Sequence, residues 1–167
     1  MKDEIVNRVA QSALITFDIE DLYVQGNRVE IDMSQWLEQG FILREKEFRS
    51  AITSFDWSVY KDHFIAFNCS TNAILPAWAS LLVTAQLNKV SQTIVWGTLS
   101  DLEYHLFVQA IDKLDLSDFE GKPVIVKGCS EKQIPESAYI YLIQKLQPVV
   151  KSLFYGEACS SVPLYKR

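Results

Sequence analysis

The sequence predicts an α/β protein: a three-layer-like sheet with a core of three parallel strands built from βα units, plus an N-terminal α+β extension. Three observations predict it. Three nearly continuous apolar runs, 63–68, 93–96 and 122–127, read as strands buried on both faces. Each is followed by a small polar turn and then by a segment of helical periodicity. The turns recur at Ser70, Ser100 and Ser130, and about 30 residues is the length of one βαβ unit.

The elements follow in order. Residues 3–11 predict a short helix with Ile5, Val6, Val9 and Ala10 on one stripe. Residues 14–24 mix β-branched and aromatic side chains with Asp18, Glu20 and Asp21, fitting a strand or an irregular segment. Gly26-Asn27 is a turn signal between 22–24 and 29–31 and predicts a hairpin. Ser34 caps a short run that Gly40 stops, and 45–55 predicts another helix. Pro76 suits the first turn of a helix reaching Leu87. Ser100 and Glu103 form a capping-box pattern for a helix to about residue 113. Pro135 opens a further helix to about 147, which Pro148 ends or kinks. Gly156 reads as the stop of a last helix over 148–155.

At 167 residues without a linker or low-complexity tract, the chain is expected to be one domain, 1–167. With 16 basic against 21 acidic residues and no basic cluster, a nucleic-acid partner is not expected. The longest apolar stretch, 74–83, falls short of the ~20 residues of a membrane span, so no membrane partner is expected. No secretory signal is visible at Met1 to Arg8, and three cysteines is a poor match to a disulfide framework, so a cytoplasmic location is expected.

Ligands of parallel α/β sheets bind beyond the carboxyl ends of the strands. Cys69 and Cys129 follow strand ends, each with a serine after it, and are expected on one rim. A helix N-terminus beside a thiol favours the thiolate, the form that ligates metals. Cys159 belongs to a third Cys-Ser pair and joins that rim only if the chain returns after Pro148. The candidate metal ligands are thus Cys69, Cys129 and Cys159, with Glu157, Asp62 or His63 as a fourth, although His63 starts its strand at the far end. Ser70, Ser130, Ser160 and His105 are candidate hydrogen-bond partners around them. Three separated thiols suit zinc or an iron–sulfur cluster. Asp18 and Glu20 on one strand face could seat a divalent cation. No nucleotide-binding or hydrolase motif is present.

Two stretches, 63–79 (HFIAFNCSTNAILPAWA) and 150–166 (VKSLFYGEACSSVPLYK), resemble an uncharacterised bacterial family catalogued as domain of unknown function 2480. The family name brings no activity and no catalytic residues. Its members occur among iron–sulfur assembly genes, so the resemblance implies a link to iron–sulfur metabolism. The first expectation is a cytoplasmic metal-binding protein. The second is a non-catalytic interaction module or homo-oligomer with structural cysteines and a protein partner. The third is a thiol-dependent enzyme using Cys69 or Cys129.

Overall fold

The structure, a computed structural model, describes residues 14–128, 131–157 and 159–167. The helix expected over 3–11, and Cys129 and Ser130, lie outside them. In chain order the elements are β1 (Ile15–Phe17), β2 (Arg28–Asp32), α1 (Glu45–Ser54), β3 (Phe64–Asn68), α2 (Ala77–Leu87), β4 (Thr93–Trp96), α3 (Leu99–Ile111), β5 (Pro123–Val126), α4 (Glu136–Leu146), β6 (Ser152–Glu157) and β7 (Ser160–Lys166). The α/β class expected from the sequence is what the chain adopts, and all three expected strands form.

These strands divide between two sheets. One is ordered β2-β3-β4 with both pairings parallel. The other is ordered β1-β5-β6-β7, parallel except for the β6–β7 hairpin. The chain accordingly forms two compact units. Unit one comprises the described residues up to Val24 together with Leu106–Arg167, and unit two is Gln25–His105. Unit two therefore interrupts unit one in the chain.

Four aspartates start short 3₁₀ turns in the same way. Asp18, Asp32, Asp56 and Asp115 each accept a hydrogen bond from the backbone N–H two residues on, at 2.9–3.0 Å. This is the local bonding that makes Asp a natural turn starter. Helices α2 and α4 both follow a proline, which removes a donor the first turn could not have satisfied. Their buried residues repeat every four positions: Ala79, Val83 and Leu87 in α2, and Ala138, Leu142 and Leu146 in α4. Unit one closes its core around Phe107, Ile111, Val124 and Leu142. Unit two closes its own around Phe48, Ile52, Ile65 and Val83.

The two units are copies of one plan. In unit two Phe64 pairs with Thr93, and in unit one Pro123 pairs with Ser152, so 123 − 64 = 59 and 152 − 93 = 59. The same displacement maps buried Phe48 onto Phe107, Ile52 onto Ile111 and Val83 onto Leu142. It maps Asp56 onto Asp115, each the start of a 3₁₀ turn. It also maps Asp62 onto Gly121, both left-handed with φ of 61° and 66°. Strand β2 with its capping Asp32 corresponds to β1 with its capping Asp18. The recurrence read at Ser70, Ser100 and Ser130 marks single βα units, of which each repeat contains two.

Several local expectations give way to longer-range pairings. No hairpin forms at Gly26-Asn27: β2 pairs in parallel with β3 instead. The 3₁₀ turn Met33–Trp36 is capped by Asp32, not Ser34. The capping box of α3 is formed by Thr98 and Asp101, with the Thr98 N–H donating to Asp101 Oδ2 at 2.8 Å. Glu103 cannot play that role because it accepts from Arg28 at 2.6 Å. The helix expected over 148–155 is replaced by β6, whose residues Ser152 to Tyr155 align with β5.

Candidate functional site

Each unit has one rim where parallel strands end, with Asp32, Cys69 and Ser70 on that of unit two and Asp18, Lys127 and Glu157 on that of unit one. In unit two the rim follows β2, β3 and β4. Asp32 ends β2 and is filled by four donors: the N–H and hydroxyl of Ser34 at 2.9 and 2.7 Å, and those of Ser70 at 3.1 and 2.5 Å. Burial pushes its carboxyl up, but the bonds from Ser70 and Ser34 outweigh burial and hold it well below the usual carboxylate range. Beside it, Glu30 accepts from the Asn68 amide at 2.7 Å and from the Leu99 N–H at 3.3 Å.

Cys69 on this rim is half-buried and packs against the core of unit two. Its sulfur lies 3.3 Å from Thr71 Oγ1, which in turn donates to the Gly40 carbonyl at 2.6 Å. A hydroxyl carries one hydrogen. With that hydrogen directed at Gly40, the Cys69 thiol is the donor to Thr71. Ser70 gives its hydroxyl to Asp32 and not to a sulfur.

In unit one the rim follows β1, β5 and β6. Here Lys127 Nζ donates to Asp18 Oδ2. The hydrogen bond to Lys127 is the main cause that lowers the Asp18 carboxyl, and the same bond raises the Lys127 ammonium. The charges of Glu157 and Asp21 add to the rise of Lys127. Tyr155 lies against Gly128 so closely that a Cβ there would come within 3.0 Å of its ring, and its hydroxyl donates to the Gly128 carbonyl at 3.3 Å. Glu157 ends β6 opposite Ser160 of β7, and Cys159 is exposed in the tight turn between them.

This arrangement bears on two sequence expectations, one losing its ground and one left open by Pro148. The strands preceding Cys69 and Cys129 end in different sheets, so the one-rim placement of those two residues loses its basis. Residue 159 is reached by a returning strand: β6 runs parallel to β5, with Val126 opposite Tyr155. The chain segments entering Cys129 and Cys159 therefore leave the same edge of one sheet. His105 is half-buried in α3. His63 and Asp62 precede β3, with His63 Nδ1 2.7 Å from the Lys61 carbonyl. Asp18 and Glu20 do not form a cation seat: Asp18 is paired with Lys127, and Glu20 accepts from the Glu131 N–H. Among the described residues, no group of three His, Cys, Asp or Glu side chains is placed to hold a metal ion.

The Asp18–Lys127 pair was not singled out from sequence, because 109 residues separate its members. A signal did exist. Asp18 and Asp32 each sit between two apolar residues at a strand end, in Phe17-Asp18-Ile19 and Ile31-Asp32-Met33.

Fold and rims together define an α/β protein of two repeat-related parallel-sheet units with a polar rim on each. The chain belongs to the family described as Protein of unknown function (DUF2480), which matches residues 3–167. No curated protein and no solved structure matches it. Among the described residues, no helix is long and apolar enough to cross a membrane.

Proposed function

We propose that this chain is a metal-binding protein whose site lies on the rim of unit one, with Cys129, Cys159 and Glu157 as ligands for zinc or iron–sulfur. The observation that supports this reading is the parallel register of β5 and β6, with Val126 opposite Tyr155, which ends both strands on the same rim. Two thiolates and a carboxylate are ordinary zinc donors, and three protein ligands leave a fourth position open to water or to an incoming group. Lys127 offsets part of the negative charge that such a set gathers. Cys69 is assigned a packing role, supported by its contact with the core of unit two and its bond to Thr71.

Anaerobic purification followed by metal analysis and a visible spectrum tests the proposal. The expected result is stoichiometric metal that Cys129→Ser and Cys159→Ser each remove while Cys69→Ser keeps it. Metal-free protein, or loss of metal on Cys69→Ser with retention on Cys159→Ser, overturns it.

A further inference from the structure

The four terminal strands of the two sheets differ in how their open edges are protected. Exposed edges of regular sheets pair with other chains unless they are short, charged or interrupted by proline. Strand β1 is three residues long. Strand β2 carries Arg28, Glu30 and Asp32, and β7 carries Pro163 and Lys166. Strand β4 is Thr93-Ile94-Val95-Trp96, with neither charge nor proline. Among the described residues it is terminal in its sheet, bonded to β3 on one side.

The repeat shows what this edge is shaped to receive. The counterpart of β4 is β6, and β6 carries an antiparallel strand, β7, along the corresponding edge. There β7 brings Leu164 to a groove lined by Ile140 and Ile143 of α4 and Tyr155 of β6. Displaced by the repeat, the same positions in unit two are Leu81 and Thr84 of α2 and Trp96 of β4. Leu81 is 65% exposed and Trp96 54% exposed, although Trp96 already packs edge-on against Phe67 at 5.1 Å.

From these observations we infer that β4 is a dimerisation edge, pairing antiparallel with β4 of a second copy of this chain. A strand placed against its own copy across a two-fold axis is antiparallel by symmetry, the sense in which β7 pairs with β6. Side chains alternate faces along a strand, so the two-fold axis passes through a residue position. Centred on Val95, this pairing sets Val95 opposite Val95 of the other copy and Ile94 opposite Trp96. Aromatic and β-branched cross-strand pairs of this kind stabilise sheets. No like charges face each other, because 90–100 is uncharged. The first charges beyond it are Lys89 and Asp101, of opposite sign. Antiparallel pairing brings the Lys89 flank of one copy beside the Asp101 flank of the other. A four-residue strand and two exposed apolar side chains, Leu81 and Trp96, give a small interface, so a dissociation constant of about 1–100 μM is expected.

Sedimentation of the full chain across that concentration range, with amide exchange of residues 92–97, tests the inference. The expected result is a monomer–dimer equilibrium in which these amides exchange more slowly as concentration rises. Trp96→Lys weakens association at least tenfold, and Leu81→Lys does so independently should Trp96→Lys fail to fold. Ile140→Lys, the equivalent exposed position of unit one, leaves association unchanged. A monomer at every concentration overturns the inference, as does a dimer indifferent to both unit-two substitutions. Slowing of the 92–97 amides only when a different protein is added also overturns it.

Discussion

Ser70 closes on Asp32 with both of its donors, the hydroxyl at 2.5 Å from Oδ2 and the N–H at 3.1 Å from Oδ1. The residue that follows Cys69 is thereby tied to the end of a neighbouring strand, and the loop leaving β3 is held against the rim of unit two. Asp32→Ala leaves these donors and those of Ser34 without their acceptor. A loss of about 2–3 kcal/mol in urea unfolding is expected. Ser70→Ala, which removes one bond, is expected to cost about 1 kcal/mol.

The same carboxyl sets a pH dependence. Its folded value lies below its unfolded value, so its contribution is fully present above the unfolded value of about 4. The contribution fades as pH falls through the folded value. Unfolding free energies of wild type and Asp32→Asn measured from pH 7 down to pH 2 are therefore expected to converge in acid. A constant difference across that range contradicts the assignment.

Arg28 and Glu103 form the least exposed ion pair among the described residues, at 2.6 Å, with side chains 11% and 16% exposed. Arg28 also donates to the Gly26 carbonyl and stacks over Phe64. Breaking one partner leaves a poorly hydrated charge, so Glu103→Ala is expected to lose about 3 kcal/mol. The Arg28→Met/Glu103→Met double variant is expected to recover part of that loss. A double-mutant cycle by chemical denaturation measures the coupling.

Phe48 and Phe107 occupy equivalent places in the two cores, 0% and 2% exposed. Truncation of either to alanine is expected to cost about 3–5 kcal/mol. Two similar values would follow from the shared plan, and unfolding curves followed by far-UV circular dichroism, which reports on the helices of both units, provide the comparison.

Asp62 holds a left-handed conformation, φ 61°, where its counterpart in the other unit is Gly121. Glycine meets no Cβ penalty there. Asp62→Gly is expected to leave stability unchanged or raise it by up to about 1 kcal/mol, and Gly121→Val to lower it by about 1–2 kcal/mol. Thermal melts of both variants decide the sign.

The strands at 64–68, 93–96 and 123–126 were legible because runs such as Phe64-Ile65-Ala66-Phe67 are apolar without interruption. Helices α2 and α4 were legible from Pro76 and Pro135 and a spacing of four. Illegible features depended on partners far away in sequence. Ser152 to Tyr155 becomes a strand because β5 lies beside it, and Gly156, read as a helix stop, is a β6 residue paired with Ser161 at a φ of 115°. Glu103 looked like a cap until Arg28 claimed it. The split into two sheets could not be read from strand spacing, since both halves follow the same βα rhythm. For the rim, whether the chain returns to bring Cys159 back was left open by Pro148, since only the β5 partner turns that segment into a strand, and the Asp18–Lys127 pair was hidden by its span.

The interruption of one unit by the other has a consequence on the ribosome. Ile15 pairs with Val124, and at about 5–20 residues per second its partner is synthesised roughly 5–20 seconds later. Unit two, whose strands are contiguous in the chain, can finish folding within that delay. Strand β1 must wait for strands made more than a hundred residues later before its own sheet exists, so during synthesis the half that carries Cys159 is completed last.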